Sequence, residues 1–324
     1  MPASAFEQFR PTFWLRNAHL QTILAHFLTP TKHINYTREL LTVGNDSLEL
    51  FHYGYEQNNS PSRPSVLLLH GLQGCFRSHY ILRAIAALQN AGFCVTVMHY
   101  RNCGSRPNKT IESYHAGKTD DILVVVQHLL SNFASNLHLI GYSLGGNMLI
   151  NLLAQNPALD IQKAIAVSPV FELAKTASKL QKSLFGLYDK YLLRLLIKSH
   201  CKKCKKVTLP SGIPNEPEAK QIKTIAEFDN KITAPTHGFA DKDDYYQKTS
   251  SRQFLSQIKH PLLLLHAYDD PFVDTEAIPS RTELAPNTSM QIAKYGGHIG
   301  YLDKDFFDFK TTILERVIVD FLRD

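Results

Sequence analysis

Short, continuous apolar runs alternate along the chain with stretches of helical periodicity. Ser65–His70, Phe93–Tyr100, Leu137–Gly141, Ile161–Val167 and Pro261–His266 are apolar over most of their length. Such runs read as strands covered on both faces, as in a parallel sheet. Met290–Lys294 is a shorter strand of the same kind. Between them, His79–Ala91 carries apolar residues at helical spacing and stops at Gly92, a residue suited to the left-handed position after a helix. Thr119–Phe133 opens with Thr119-Asp120-Asp121, whose acids complement the positive end of a helix dipole. Leu144–Gln155 is a helix that ends before Pro157, and Thr311–Leu322 is a terminal helix. Near the start, Pro11–Leu28 has Trp14, Leu15, Leu20 and Leu24 at loose helical spacing. Glu39–Val43 and Leu48–Tyr55 flank Gly44-Asn45-Asp46-Ser47, which is hairpin turn chemistry. The alternation predicts an α/β fold, a mostly parallel sheet of about eight strands with helices on both faces.

The rhythm fails between Val170 and His260, where no strand signal appears. The expectation is one domain over residues 1–324 with a helical cap inserted at 171–260. Within it, Leu180, Leu184, Leu187, Tyr191 and Leu195 make an apolar stripe along Leu180–Lys198, with Lys182, Lys190, Arg194 and Lys198 outside the stripe. The stripe suits a cap helix packed over a site. The basic flank suits peripheral membrane contact, and the two readings are compatible. Charge sharpens this picture. The chain carries +6, but residues 171–210 hold ten lysines and arginines against two acids, so that segment is +8 and the remainder −2. The basicity therefore bears on how substrate or membrane approaches the cap. No nucleic-acid-reading module accompanies it, and no nucleic-acid partner is expected.

Composition excludes other classes. With 324 residues, 44% hydrophobic and 20% charged, the chain can bury a large core. No apolar run approaches the ~18–20 residues of a membrane span. Met1–Pro11 lacks a secretory pattern. Five cysteines without regular spacing argue against a disulfide framework and for a reducing compartment, so a cytoplasmic location is expected. Cys201-Lys202-Lys203-Cys204 has no second ligand pair for tetrahedral zinc and reads as a solvated basic loop. No metal or organic cofactor is expected.

Candidate chemistry lies where a strand meets a helix. Gly141-Tyr142-Ser143-Leu144-Gly145 matches G-x-S-x-G between the strand at Leu137–Ile140 and the helix at Leu144–Gln155. Ser143 is the expected nucleophile, held in a tight turn at a helix N-terminus. It needs a base, and the base an orienting acid, in the chain order serine, acid, histidine. After Pro261–His266 come Asp269 and Asp270, and the D-x-x-V pattern favours Asp270 as the acid, with Asp269 capping the loop. After the last strand, His298 sits among Gly296, Gly297 and Gly300, which makes it the expected base. The oxyanion requires backbone donors, expected from the Leu144 and Leu72 N–H groups. His70, Gly71 and Tyr142 flank these donors and are expected to face substrate. His115 and Asp120 fit H-x-x-x-x-D, a spacing used by some acyltransferases, but they also read as a loop histidine ahead of a helix cap.

These residues resemble the YheT-like family of the α/β-hydrolase superfamily, which is related to eukaryotic α/β-hydrolase-domain proteins and to fungal medium-chain ethyl-ester synthases/esterases. The resemblance spans nearly the whole chain. It rests on Phe9-Arg10-Pro11, Asn17-Ala18-His19-Leu20-Gln21-Thr22, His70-Gly71-Leu72 with Ser78-His79-Tyr80, and Tyr114-His115-Ala116-Gly117 with Thr119-Asp120-Asp121. It continues through Gly141–Asn147, Asp269-Asp270-Pro271 and Gly297-His298. It implies Ser143, Asp270 and His298 as a charge-relay set hydrolysing short- to medium-chain carboxylic esters, with a small-molecule or lipid ester as partner. Acyl transfer to an alcohol by the same residues is the alternative. Ala18, Cys75 and Arg101–Asn108 depart from the family pattern at positions that flank the pocket, so they bear on substrate preference.

Overall fold

The computed structural model describes residues 4–27, 34–55, 63–104, 108–134, 136–303 and 311–324. Met1–Ala3, Leu28 and Ser105-Arg106-Pro107, which enter the readings above, lie outside them. The sheet has eight strands: β1 (Thr37–Val43), β2 (Asp46–Tyr53), β3 (Ser65–Leu69), β4 (Cys94–Met98), β5 (Leu137–Tyr142), β6 (Lys163–Val167), β7 (Leu262–Ala267) and β8 (Thr288–Ala293). Their spatial order is β1-β2-β4-β3-β5-β6-β7-β8. β2 pairs antiparallel with both β1 and β4, and all the other pairings are parallel. The hairpin turn is tighter than expected, because Asp46 belongs to β2 and accepts a hydrogen bond from Arg101 at 3.1 Å.

Helices cover both faces, which is why the central strands are apolar throughout. Leu67, Leu69 and Leu139 pack on Ile122, Val125 and Leu129 of α3 (Asp120–Asn132) and on Met148 and Leu152 of α4 (Leu144–Gln155). Their neighbours Val66, Leu68 and Ile140 point the other way, toward α2 (His79–Asn90) and the terminal helix Ile313–Arg323. That alternation is the strand's two-residue period seen from inside. A short helix, α1 (Ala18–Phe27), precedes β1.

Residues between β6 and β7 form α5 (Leu173–Lys182), α6 (Leu187–Cys204) and a series of shorter helical turns. They share a small core of their own, with Leu180, Tyr188, Leu196, Ile225, Phe228 and Ile232 buried together. Leu72 and Phe272 of the sheet domain pack against it.

Two expectations for this region are corrected. Leu180–Lys198 is not one helix. The chain breaks at Ser183–Gly186, where Leu184, Phe185 and Gly186 adopt φ of 48°, 55° and 73°. A Cβ on Gly186 would lie 3.0 Å from Gln181 O, so glycine lets the turn close on the end of α5. Cys201–Cys204 is not a loop but the last turn of α6. Lys203 there is 1% exposed and donates to Ile111 O at 2.8 Å and to Ser113 Oγ at 2.9 Å, with a further bond to Glu112 O. Burying the ammonium against these oxygens ties the helix end to the loop after β4. No described helix is long and apolar enough to cross a membrane.

Candidate active site

β5 ends inside the sheet and turns straight into α4, with Ser143 at the turn. Its φ of 54° and ψ of −118° are strained for a residue with a side chain, at a cost of ~1–3 kcal/mol. The surroundings hold it there. Ser143 N–H donates to Val167 O of β6 at 2.9 Å, and Asn147 N–H donates back to Ser143 O at 3.1 Å to start the helix. The flanking glycines are sterically required. A Cβ on Gly141 would lie 2.4 Å from Gly145 O, and one on Gly145 would lie 2.5 Å from Leu69 O. Both clashes are with backbone.

His298 Nε2 lies 2.9 Å from Ser143 Oγ, and its Nδ1 lies 2.8 Å from Asp270 Oδ2. A carboxylate on Nδ1 keeps the proton there and leaves Nε2 free to accept from the serine. The Asp270 carboxylate is buried and also accepts the Phe272 N–H at 2.8 Å. Phe272 stacks on the His298 ring with centroids 4.1 Å apart. Asp269 faces elsewhere: its Oδ1 accepts the Gly297 N–H at 2.9 Å, bracing the histidine loop. Burial pushes the Asp269 carboxyl up to about 6.

A second brace comes from the other end of the chain. Thr22 Oγ1 on α1 accepts the His298 N–H at 2.9 Å and donates to Ala18 O at 2.8 Å. Gln21, fully buried, donates to Leu15 O and Leu302 O and accepts the Leu302 N–H at 2.7 Å. The Asn17–Thr22 segment thus holds the loop that carries His298.

The loop after β3 runs beside Ser143, where a Cβ on Gly71 would come within 3.2 Å of Ser143 Cβ. Its amides are mostly occupied. Gly71 N–H donates to Tyr80 Oη at 2.9 Å, Gln73 N–H to Tyr114 Oη at 2.7 Å, Gly74 N–H to Gly71 O at 3.0 Å and Cys75 N–H to Ser78 Oγ at 3.0 Å. Leu72 N–H has no such partner among the described residues. Leu144 N–H, in the first turn of α4, has none within its helix. Two unoccupied donors therefore border Ser143.

The matching family model carries the description alpha/beta hydrolase fold and covers residues 64–305, three quarters of the chain. This chain belongs to the α/β-hydrolase family. The α/β-hydrolase is similar to the putative esterase YheT of Escherichia coli, with 34% identity over 92% of this chain and 88% of that protein. It is also similar to phospholipase ABHD3 of Mus musculus, with 30% identity over 98% of this chain and 78% of that one. Among solved structures it superposes on the Pyrococcus furiosus esterase Pf2001 with a TM-score of 0.61 at 18% identity, over 90% of this chain and 91% of that one, a likeness of fold. The protein is a hydrolase of the α/β-hydrolase kind.

In this hydrolase a cavity of about 770 Å³ opens over Ser143, within the range of ligand pockets. Ser143, His298, Gly71, Leu72 and Leu144 line it. So do Leu180, Leu184, Leu187, Tyr191 and Leu195, the apolar stripe expected from sequence. His70 and Tyr142 do not line it. Both side chains are fully buried behind the loop, and His70 Nδ1 bonds its own neighbour's carbonyl, Gly71 O, at 2.8 Å. Burial lowers the His70 imidazole to about 3, so it is neutral. His115 borders the cavity, but its Nδ1 accepts Gly117 N–H at 3.1 Å, while Asp120 pairs with Lys118 at 2.7 Å. No described group of metal-ligating side chains is present.

Sequence reasoning missed several contributors: Thr22, Gln21, the Tyr80 and Tyr114 hydroxyls, and His266. His266 is fully buried 3.9 Å from Asp270 Oδ2, and burial lowers it to about 4. It is therefore neutral and does not compete for the carboxylate as a cation.

Proposed function

We propose that this α/β-hydrolase is a serine esterase that cleaves carboxylic esters of short- to medium-chain acyl groups. The observation that carries the reading is the continuous hydrogen-bonded chain Ser143–His298–Asp270 opening into an apolar cavity. Ser143 Oγ attacks the acyl carbonyl as His298 Nε2 takes its proton, and Asp270 stabilises the imidazolium. Leu72 and Leu144 N–H groups donate to the tetrahedral oxygen and stabilise its negative charge. Collapse breaks the ester C–O bond, and the alcohol leaves with the proton from His298. Water then gives a proton to His298 Nε2 as its oxygen bonds to the acyl carbon, and the acyl–Oγ bond breaks as His298 returns that proton to Ser143 Oγ, releasing the acid.

Labelling by a fluorophosphonate probe tests the reading, comparing the unmodified protein with Ser143→Ala. The expected result is labelling and ester hydrolysis that both depend on Ser143. If neither does, the proposal falls. Product analysis with an added alcohol separates hydrolysis, which gives only free acid, from acyl transfer.

A further inference from the structure

Exposed apolar side chains are not scattered evenly over this hydrolase. Among the described residues ten large hydrophobic side chains are exposed, and seven of them fall in two short stretches. Phe13, Trp14, Leu20 and Phe27 precede β1, and Phe185, Leu187 and Tyr191 stand where α5 gives way to α6. The two stretches are neighbours in space. His19 Nδ1 of α1 lies 3.0 Å from Tyr188 Oη of α6, and Ile23 of α1 packs against the cap's own core. Phe27, Leu187 and Tyr191 also line the Ser143 cavity, so the exposed apolar surface is continuous with the cavity's lining. Single exposed hydrophobic residues need no explanation, but a patch at a cavity mouth marks a contact surface.

Phe185 is the most exposed of the seven, at 92%. The backbone holds it there. Leu184 and Phe185 take φ of 48° and 55°, conformations that cost free energy for residues with side chains. The strain and the hydration of the ring both oppose this arrangement, and a surface that buries the ring offsets them.

Cations flank the patch. On α6, Leu187, Tyr191 and Leu195 recur at four-residue spacing, and Lys190, Arg194 and Lys198 follow each of them by three residues. An apolar row and a basic row therefore lie side by side along the helix. Lys182, three residues before Phe185, adds a fourth cation at the end of α5. None of the four has an acidic partner among the described residues, whereas Lys175, Lys179 and Lys205 do. The one acid of α6, Asp189, is buried and accepts the Ile225 N–H at 3.2 Å. Rings and aliphatic tips beside unpaired cations on long stems match a layered partner, apolar at one depth and negatively charged at another.

We propose that the mouth of the Ser143 cavity docks on the surface of an anionic lipid bilayer. Phe185 and Phe27 enter the boundary of the acyl chains, and Lys182, Lys190, Arg194 and Lys198 sit at the level of the headgroup phosphates. The contact is peripheral. It goes beyond the esterase reading and does not depend on it.

The test uses Ser143→Ala throughout, so that turnover plays no part. Flotation with vesicles of phosphatidylcholine and phosphatidylglycerol in equal parts should carry the protein at low salt, and vesicles of phosphatidylcholine alone should carry less. Phe185→Asn keeps a residue that tolerates the left-handed backbone and removes the ring. It should lower partitioning by roughly tenfold or more. Lys190→Gln/Arg194→Gln should do so by roughly tenfold or more as well, and Lys190→Arg should not. Urea midpoints of these variants should match that of Ser143→Ala. Phe185→Trp combined with Trp14→Phe leaves one tryptophan, whose emission should shift to the blue on anionic vesicles and be quenched by brominated acyl chains. No binding to anionic vesicles, binding indifferent to both the aromatic and the cationic variants, or an unquenched tryptophan overturns the proposal. Dimers that Phe185→Asn dissociates, with no vesicle binding, also overturn it in favour of a contact between two copies. If vesicles bind but no ester is cleaved by the unmodified protein, the esterase reading alone fails and the docking surface stands.

Discussion

Thr22→Val tests whether the N-terminal helix positions the histidine. Valine has the shape of threonine, so no cavity opens and packing on α1 is kept. What is removed is the acceptor of the His298 N–H, which lies 2.9 Å away in the native protein, together with the hydroxyl's own bond to Ala18 O. An unsatisfied donor in such a place costs ~1–3 kcal/mol. The loop can relieve that cost by moving off α1, and then the population holding Nε2 against Ser143 falls. If the whole cost appears there, the loss is roughly five- to hundredfold, since ~1.4 kcal/mol is a factor of ten. The assay is kcat/KM on a soluble neutral ester together with the rate of fluorophosphonate labelling, with urea unfolding measured alongside. Both rates should fall, through kcat more than KM, and Thr22→Ser should restore them. A variant destabilised by ~1–3 kcal/mol that labels at the native rate would refute the reasoning, because α1 would then serve only stability.

Two further outcomes follow from the geometry. Gly145→Ala places a Cβ 2.5 Å from Leu69 O and 2.6 Å from His70 O, and backbone cannot swing aside, so urea unfolding should show a loss of ~1–3 kcal/mol or more with activity abolished. Asp269 has its folded pKa raised from 3.8 to about 6 by burial. Between those values the unfolded chain loses the proton first, so native stability falls as pH rises through the window and levels off above it. Asp269→Asn keeps an oxygen for Gly297 N–H and removes that pH dependence. Its thermal midpoint should gain on the native protein between pH ~4 and ~6 and then run parallel, and a constant difference across pH would count against the buried carboxyl.

Much of the scaffold was legible in the chain. Ser65–Leu69 and Leu262–Ala267 are strands because both sheet faces are covered, so nearly every position must be apolar and the run shows without alternation. The serine turn was legible because its steric demands fall on neighbours two residues away, Gly141 and Gly145. Asp270 and His298 were legible by chain order after β7 and β8. The hinge at Ser183–Gly186 was not, because an apolar stripe continues on both sides of it and the left-handed residues Leu184 and Phe185 carry no local signature. The last turn of α6 was obscured too: its two lysines look solvated until Lys203 finds oxygens about ninety residues away.

The sequence by itself therefore determined the α/β class, the sheet's buried strands, the serine turn and the order in which Asp270 and His298 follow it. These follow from local sterics and from the periodicity of burial. Only the tertiary structure decided what holds His298 in place, why His70 and Tyr142 face inward, and that Lys203 at the end of α6 borders the Ser143 cavity. Those depend on pairings across most of the chain, such as Thr22 with His298 and Gln21 with Leu302. A hydrogen bond between residues hundreds of positions apart leaves no periodic trace, because its partner is chosen by packing and not by spacing.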